Sequence, residues 1–199
     1  MPSLHDIFHY LAGVWQLMTG RRQGLNNLDL SADGFWNSFW AIAVAFPVFL
    51  FWWATELGEY GIAAIELSDR LSIVLRLAIS DLVSWVLPLF LLVPVVRLAG
   101  CSDRFVAIVV GSNWGSALIN WMLLPVMILI RFLPASIETA SVLGLMLLFI
   151  YVGLAWRMFH GLIGGTALQT TVVFGTLLLS EILLSTAMLE LLGLPSAVS

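Results

Sequence analysis

The sequence predicts an all-α, polytopic transmembrane bundle of five helices, preceded by an amphipathic N-terminal helix at the membrane interface. Three observations carry this expectation. Hydrophobic residues make up 61% of the 199-residue chain and charged residues only 10%, a balance outside the range of ordinary soluble domains. Five apolar stretches, at about 36–53, 73–96, 105–132, 142–159 and 167–192, approach or exceed the roughly 20 residues that one helical crossing needs. The links between them are short, so 1–199 reads as a single membrane domain without a separate soluble unit.

Residues 4–19 open the chain. Leu4, Ile7, Phe8, Leu11, Trp15 and Met18 recur at helical spacing, while His5, Asp6, His9 and Gln16 fall elsewhere on the wheel. Such a helix is expected to lie in the interface, or else to pack on the cytoplasmic end of the bundle. A cleaved signal is not expected, because no basic residue precedes Arg21. In the polar link that follows, Ser31 or Asp33 is placed to cap the first span. Trp36 and Trp40 at one end of that span, with Trp52 and Trp53 at the other, sit where an aromatic belt is expected. Pro47 between them predicts a kink.

Pro88 and Pro94 interrupt the second stretch and Pro125 the third. Gly111 and Gly115 form a GxxxG, Ser112 and Ser116 repeat the spacing, and Ala167, Thr171 and Gly175 do so in the fifth. These stripes are expected to allow close helix contact. Gly161, Gly164 and Gly165 mark the reversal before the last span. No internal repeat suggests an inverted-repeat transporter.

All eight basic residues are arginine. Arg21, Arg22, Arg97, Arg104 and Arg157 would share one face, and Arg70, Arg76 and Arg131 the other. An excess of Arg marks the cytoplasmic side. The expected location is therefore a bacterial inner membrane, with a cytoplasmic N-terminus and, after five crossings, a periplasmic C-terminus.

Polar groups at membrane depth are the candidate site. Asp81 is expected about 12 Å from the outer end of span two and Glu181 about 16 Å from the outer end of span five, at 1.5 Å per residue. Asp81, Ser84 and Pro88 share a stripe at i, i+3 and i+7, and Pro88 frees the carbonyl of Ser84. Asn113, Ser116 and Asn120 repeat that spacing in span three. The cluster Asp81, Ser84, Asn113, Ser116, Asn120 and Glu181 is expected to converge. Its plainer reading is interhelical hydrogen bonding between packed helices. The sharper one is a polar cavity for a proton, an ion or a small solute. Arg76 is a lesser candidate partner for Asp81, five residues away.

Several chemistries are excluded by pattern. The net charge of −4 argues against nucleic acid. Cys101 is the only cysteine, so neither an intramolecular disulfide nor a cysteine-built metal site is expected. His5 and His9 at i, i+4 lack a third ligand, and His160 beside Arg157 reads as an interfacial cation. No histidine pair faces another within the spans to hold haem. Neither GxSxG nor HExxH occurs, and Asp81 lacks the second aspartate of an aspartyl protease. No cofactor and no enzymatic activity are expected.

The run Gly20-Arg21-Arg22-Gln23-Gly24-Leu25, then Asp29-Leu30-Ser31 and Gly34-Phe35-Trp36-Asn37-Ser38-Phe39-Trp40 opening the first of five spans, resembles bacterial small membrane proteins related to the Yip/Yif family. The resemblance implies a five-span fold and, from the eukaryotic members, a part in vesicle traffic with small GTPases. Asp29-Leu30 lacks the Gly-Pro that follows in that motif, and no long N-terminal region precedes it, so the GTPase-binding role does not carry over. No catalytic residue comes with the resemblance.

The leading expectation is a non-enzymatic protein of scaffold or subunit-interaction type. Its partners would be membrane lipids and other membrane proteins or a second copy of itself. The rival is a small transporter or channel component using the polar cluster. A water-accessible cavity reaching Asp81 or Glu181 separates the two.

Overall fold

The computed structural model describes residues 1–59, 66–132 and 137–193. The described residues form helices joined by short turns. Five of the helical stretches are long and apolar enough to cross a membrane: Ala32–Thr55, Leu67–Leu98, Ser102–Ile130, Ser141–Ile163 and Ala167–Leu191.

The first helix, α1 (Leu4–Met18), starts in a capping box. Asp6 N–H donates to Ser3 Oγ at 3.2 Å and Ser3 N–H to Asp6 Oδ2 at 2.8 Å, satisfying two amides that a helix start leaves bare. It ends at Gly20, whose φ of +85° reverses the chain. A six-residue 3₁₀ turn, Arg22–Asn27, then folds back on α1, with Gly13 and Gly24 letting the two backbones meet.

The residues expected to form one apolar face of α1 divide between two surroundings. Met18 is buried in the main core, beside Val14 and Leu17 from outside the expected face, and Ile7 and Leu11 pack against that core with Tyr10. Leu4, Phe8 and Trp15 are exposed on another side. The helix wedges against α5 and α6, where Leu17 abuts Gly161, Met18 reaches Gly115 and Tyr10 lies 5.1 Å from Trp114, ring to ring.

Ser31 caps the short α2 (Ala32–Asn37) by accepting from Gly34 N–H at 3.1 Å. The chain breaks at Ser38 and Phe39 before α3 (Trp40–Glu59), which carries Pro47 inside it. The next helix, α4 (Leu67–Leu98), begins six residues before the apolar stretch and holds both Pro88 and Pro94. Hydropathy marks where lipid is tolerated, whereas the helix begins earlier and includes Asp69 and Arg70 ahead of it. Then come α5 (Phe105–Phe132), α6 (Ile137–Ile163) and α7 (Ala167–Leu191), the last capped by Thr166 and Gln169 in a second capping box.

The five long helices form a closed ring in the order α3, α5, α6, α7, α4. The α4–α7 seam is the most extensive and α3–α4 the slightest. Two hydrogen bonds set the register of antiparallel α4 and α7. Gln169 Nε2 donates to the Ala99 carbonyl at 2.8 Å at one end, and Arg76 Nη1 to the Leu192 carbonyl at 3.0 Å at the other. Arg76 thus neutralises the carbonyl-rich end of α7, and Asp81 accepts a bond from Trp53. Both bonds give the same alignment, which places Glu181 level with Leu87 and Asp81 level with Ala187.

Small-residue stripes behave differently in α5 and α7. A methyl group on Gly111 would meet Leu162 at 2.5 Å, and one on Gly115 would meet Met158 Sδ at 2.5 Å, so the GxxxG is the α5–α6 contact. Around Gly175 nothing lies within 4 Å. The α7 stripe therefore marks no close contact at that glycine.

Candidate functional site

A cavity of about 540 Å³ lies inside the ring, walled by α4, α5, α6 and α7 with Phe49 of α3. Its volume falls in the range of small-molecule sites. All six residues of the polar cluster line it: Asp81 and Ser84 from α4, Asn113, Ser116 and Asn120 from α5, and Glu181 from α7.

Three of the six are tied to the helices that carry them or to neighbours. Asp81 Oδ2 accepts from Trp53 Nε1 at 2.7 Å, a bond from α3 to α4. Asn113 is tied at both ends of its amide: its Oδ1 accepts from Trp85 Nε1 at 3.0 Å and its Nδ2 donates to Ser38 Oγ at 2.8 Å. Ser38 in turn donates to the Phe35 carbonyl at 2.7 Å, which fixes the break between α2 and α3. Asn120 Nδ2 donates back to the Ser116 carbonyl at 2.9 Å.

The other face of the cavity is less satisfied. Ser84 Oγ is the one buried side-chain oxygen among the described residues that has no hydrogen-bond partner. Glu181 has no hydrogen bond or ion pair within the described residues and is exposed to the cavity. A charged carboxylate at mid-membrane costs roughly 2.5–3.5 kcal/mol on insertion scales, so it is retained where protein or water surrounds it. By the α4–α7 register, Glu181 and Asp81 stand about 9 Å apart along the bundle axis.

The sequence reading does not single out Tyr151, Ser185 and Thr186, and gives Ser112 only as a small packing residue; all four also line the cavity. Tyr151 is within electrostatic reach of Glu181. Trp53 was read as a belt residue, and its indole N–H is the hydrogen-bond donor to Asp81. The cavity's walls include the aromatic rings of Phe49, Trp85, Tyr151, Phe159 and Phe174. Phe49 meets Trp85 edge-on at 5.8 Å, and Phe159 lies 5.4 Å from Phe174. Neither Arg nor His lines it among the described residues.

The histidines lie elsewhere. His5 and His9 stack on the exposed side of α1 at 6.3 Å. His160 stacks on Trp156 at 5.2 Å and its Nδ1 is 3.1 Å from Thr170 Oγ1. No group of three metal-ligating side chains occurs among the described residues. Cys101 is buried outside the cavity, and desolvation pushes its thiol above the ordinary value, with Asp103 adding to the effect.

Comparison with family models, with curated proteins and with solved structures finds no match to this chain.

Proposed function

We propose that this chain takes a small solute into an intramembrane polar cavity, as a carrier or as the binding subunit of one. The observation that carries the reading is the 540 Å³ cavity that reaches both Asp81 and Glu181. A bundle serving only as scaffold would seal its membrane-depth acids between helices. Trp53–Asp81 and Trp85–Asn113 fit that description, and they support a scaffold role as the second reading. Glu181 and Ser84 do not fit it: one is exposed inside the ring and the other is buried without a partner.

The arrangement also suggests an orientation. Arg21, Arg22, Arg97, Arg104 and Arg157 cluster at the α1 end, which is then the cytoplasmic face of a bacterial inner membrane. Leu4, Phe8 and Trp15, exposed on α1, would meet the acyl-chain boundary there. The cavity would be loaded from the periplasmic side, where packing is loosest.

Cysteine accessibility tests the reading. The native Cys101 thiol is buried and poorly ionised, hence a quiet background. Ser116→Cys and Ser185→Cys face the cavity, while Leu179→Cys, on a residue 61% exposed and outside the cavity, faces lipid. Maleimides react with water-accessible thiols, so a membrane-impermeant maleimide is expected to label the first two at least tenfold faster than the third. Equal, slow labelling of all three would overturn the proposal.

A further inference from the structure

The cavity's chemistry names a class of solute, an inference that rests on the solute-binding reading above. Its charge comes from carboxyl groups alone: Asp81 and Glu181 line it, and neither arginine nor histidine does among the described residues. An anion would find no counter-charge there. A bare metal ion would need several oxygens converging at one point. The two acids are instead separated by about 9 Å along the axis, and no metal-ligating group of three occurs among the described residues.

The rest of the wall is aromatic and apolar. Phe49 and Trp85 stand on one side, and Tyr151, Phe159 and Phe174 on the other. Ring faces carry negative electrostatic potential and attract organic cations, most strongly where water is excluded. Two acceptors add to this. Ser84 Oγ is 9% exposed, has no partner among the described residues and lines the cavity, and the Ser84 carbonyl loses its usual helical donor at Pro88. The 540 Å³ of space is far larger than a hydrated proton or ion needs.

The geometry points to a hydrophobic organic cation, such as an aryl-substituted quaternary ammonium or phosphonium, held between the aromatic walls with Glu181 as its counter-ion. Asp81 keeps its bond to Trp53 and contributes field from nearer the periplasmic end. Ser84 takes a polar hydrogen of the solute where one is present.

Binding of tetraphenylphosphonium to the detergent-purified full chain tests this, with tetraphenylborate as a probe of the same shape and opposite charge. The phosphonium is expected to bind saturably and at least tenfold more tightly than the borate. Glu181→Gln is expected to weaken it tenfold or more at unchanged monodispersity. Comparable binding of the two probes, or phosphonium affinity indifferent to Glu181→Gln, would overturn the inference. Should Glu181→Gln fail to fold, protection of Ser185→Cys from maleimide in the otherwise intact chain decides: the phosphonium should slow labelling and the borate should not. If Ser185→Cys labels freely but neither probe slows it, the cation inference fails while the cavity reading survives. If no cavity cysteine labels, both fall.

Discussion

The two ends of this bundle are built to different standards. Toward the α1 end, Val14, Leu17, Leu92, Ile108, Trp114, Met158, Leu162 and Val173 are each at most 2% exposed and belong to one core. Toward the other end, no described residue is buried in α4 before Leu77, in α5 after Ile119, in α6 before Ala155 or in α7 after Ser180. Only Trp53 and Leu77 form a small second cluster there. In α5 and α6 the loose half is as rich in apolar residues as the tight one, so hydropathy does not explain the contrast there. The third component at the tight end does: α1 fills the seam between α5 and α6, and glycines at 111, 115 and 161 allow side chains to approach closely. The cavity begins where that filling stops.

The sharpest way to break this comparison is to remove equivalent bulk from each half. Trp114 is 1% exposed and packs on Tyr10, whereas Phe149 is 74% exposed. Trp114→Ala is expected to cost about 3–5 kcal/mol through lost contacts and a residual void. Phe149→Ala should fall within about 0.5 kcal/mol of the parent. Denaturant titration in a fixed mild detergent measures both. Similar losses at the two positions would show that the loose half is packed by something other than this chain's own helices.

Adding a methyl group probes the same contrast from the other direction. At Gly111 it would meet Leu162, itself fully buried and unable to swing away, so Gly111→Ala is expected to destabilise by about 1–3 kcal/mol. Around Gly144 in α6 nothing lies within 4 Å. Gly144→Ala should therefore stabilise the helix by about 0.5–1 kcal/mol, the ordinary advantage of alanine over glycine. If Gly144→Ala destabilises instead, that face of α6 is a contact surface, as the scaffold reading requires.

Much of the cavity was legible beforehand because a polar side chain repeated at i, i+3 and i+7 stands out against apolar residues. Asp81, Ser84 and Pro88 show this on α4, and Asn113, Ser116 and Asn120 on α5. Tyr151 gave no such signal, being the only hydroxyl between Ser141 and Arg157, with no periodic partner. Trp53 was misread because a tryptophan near a span's end has a ready explanation at the interface, and its indole donor is not visible in hydropathy. The choice between the interface and docking on the bundle stays open for α1 in the sequence for a related reason. Its apolar residues surround more than half of the wheel, so the wheel alone does not say which side packs and which faces lipid.

The smallest expected effect lies at the start of α1, where the tight half's extra helix is held by local bonds rather than burial. The side-chain and backbone bonds from Ser3 hold the Asp6 carboxyl below its ordinary value of 3.8. A carboxyl held low in the folded state contributes its stability fully above the unfolded value, and that contribution disappears as pH falls through the folded one. Protection of the Ser3 and Asp6 amides from hydrogen exchange should thus be constant at neutral pH and drop in the acid range below 3.8. Asp6→Asn removes the titrating group and should flatten the profile, with the first turn frayed throughout. The core below, where Leu17 and Met18 sit against glycines of α6 and α5, should not respond to either change. Labelling of Ser185→Cys, taken relative to a free thiol at the same pH because the thiolate is what reacts, should be equally indifferent, because the cap lies at the sealed end and the cavity at the loose one. A parallel rise in that labelling on acidification would mean that α1 holds the ring closed from a distance, joining the two halves into one cooperative unit.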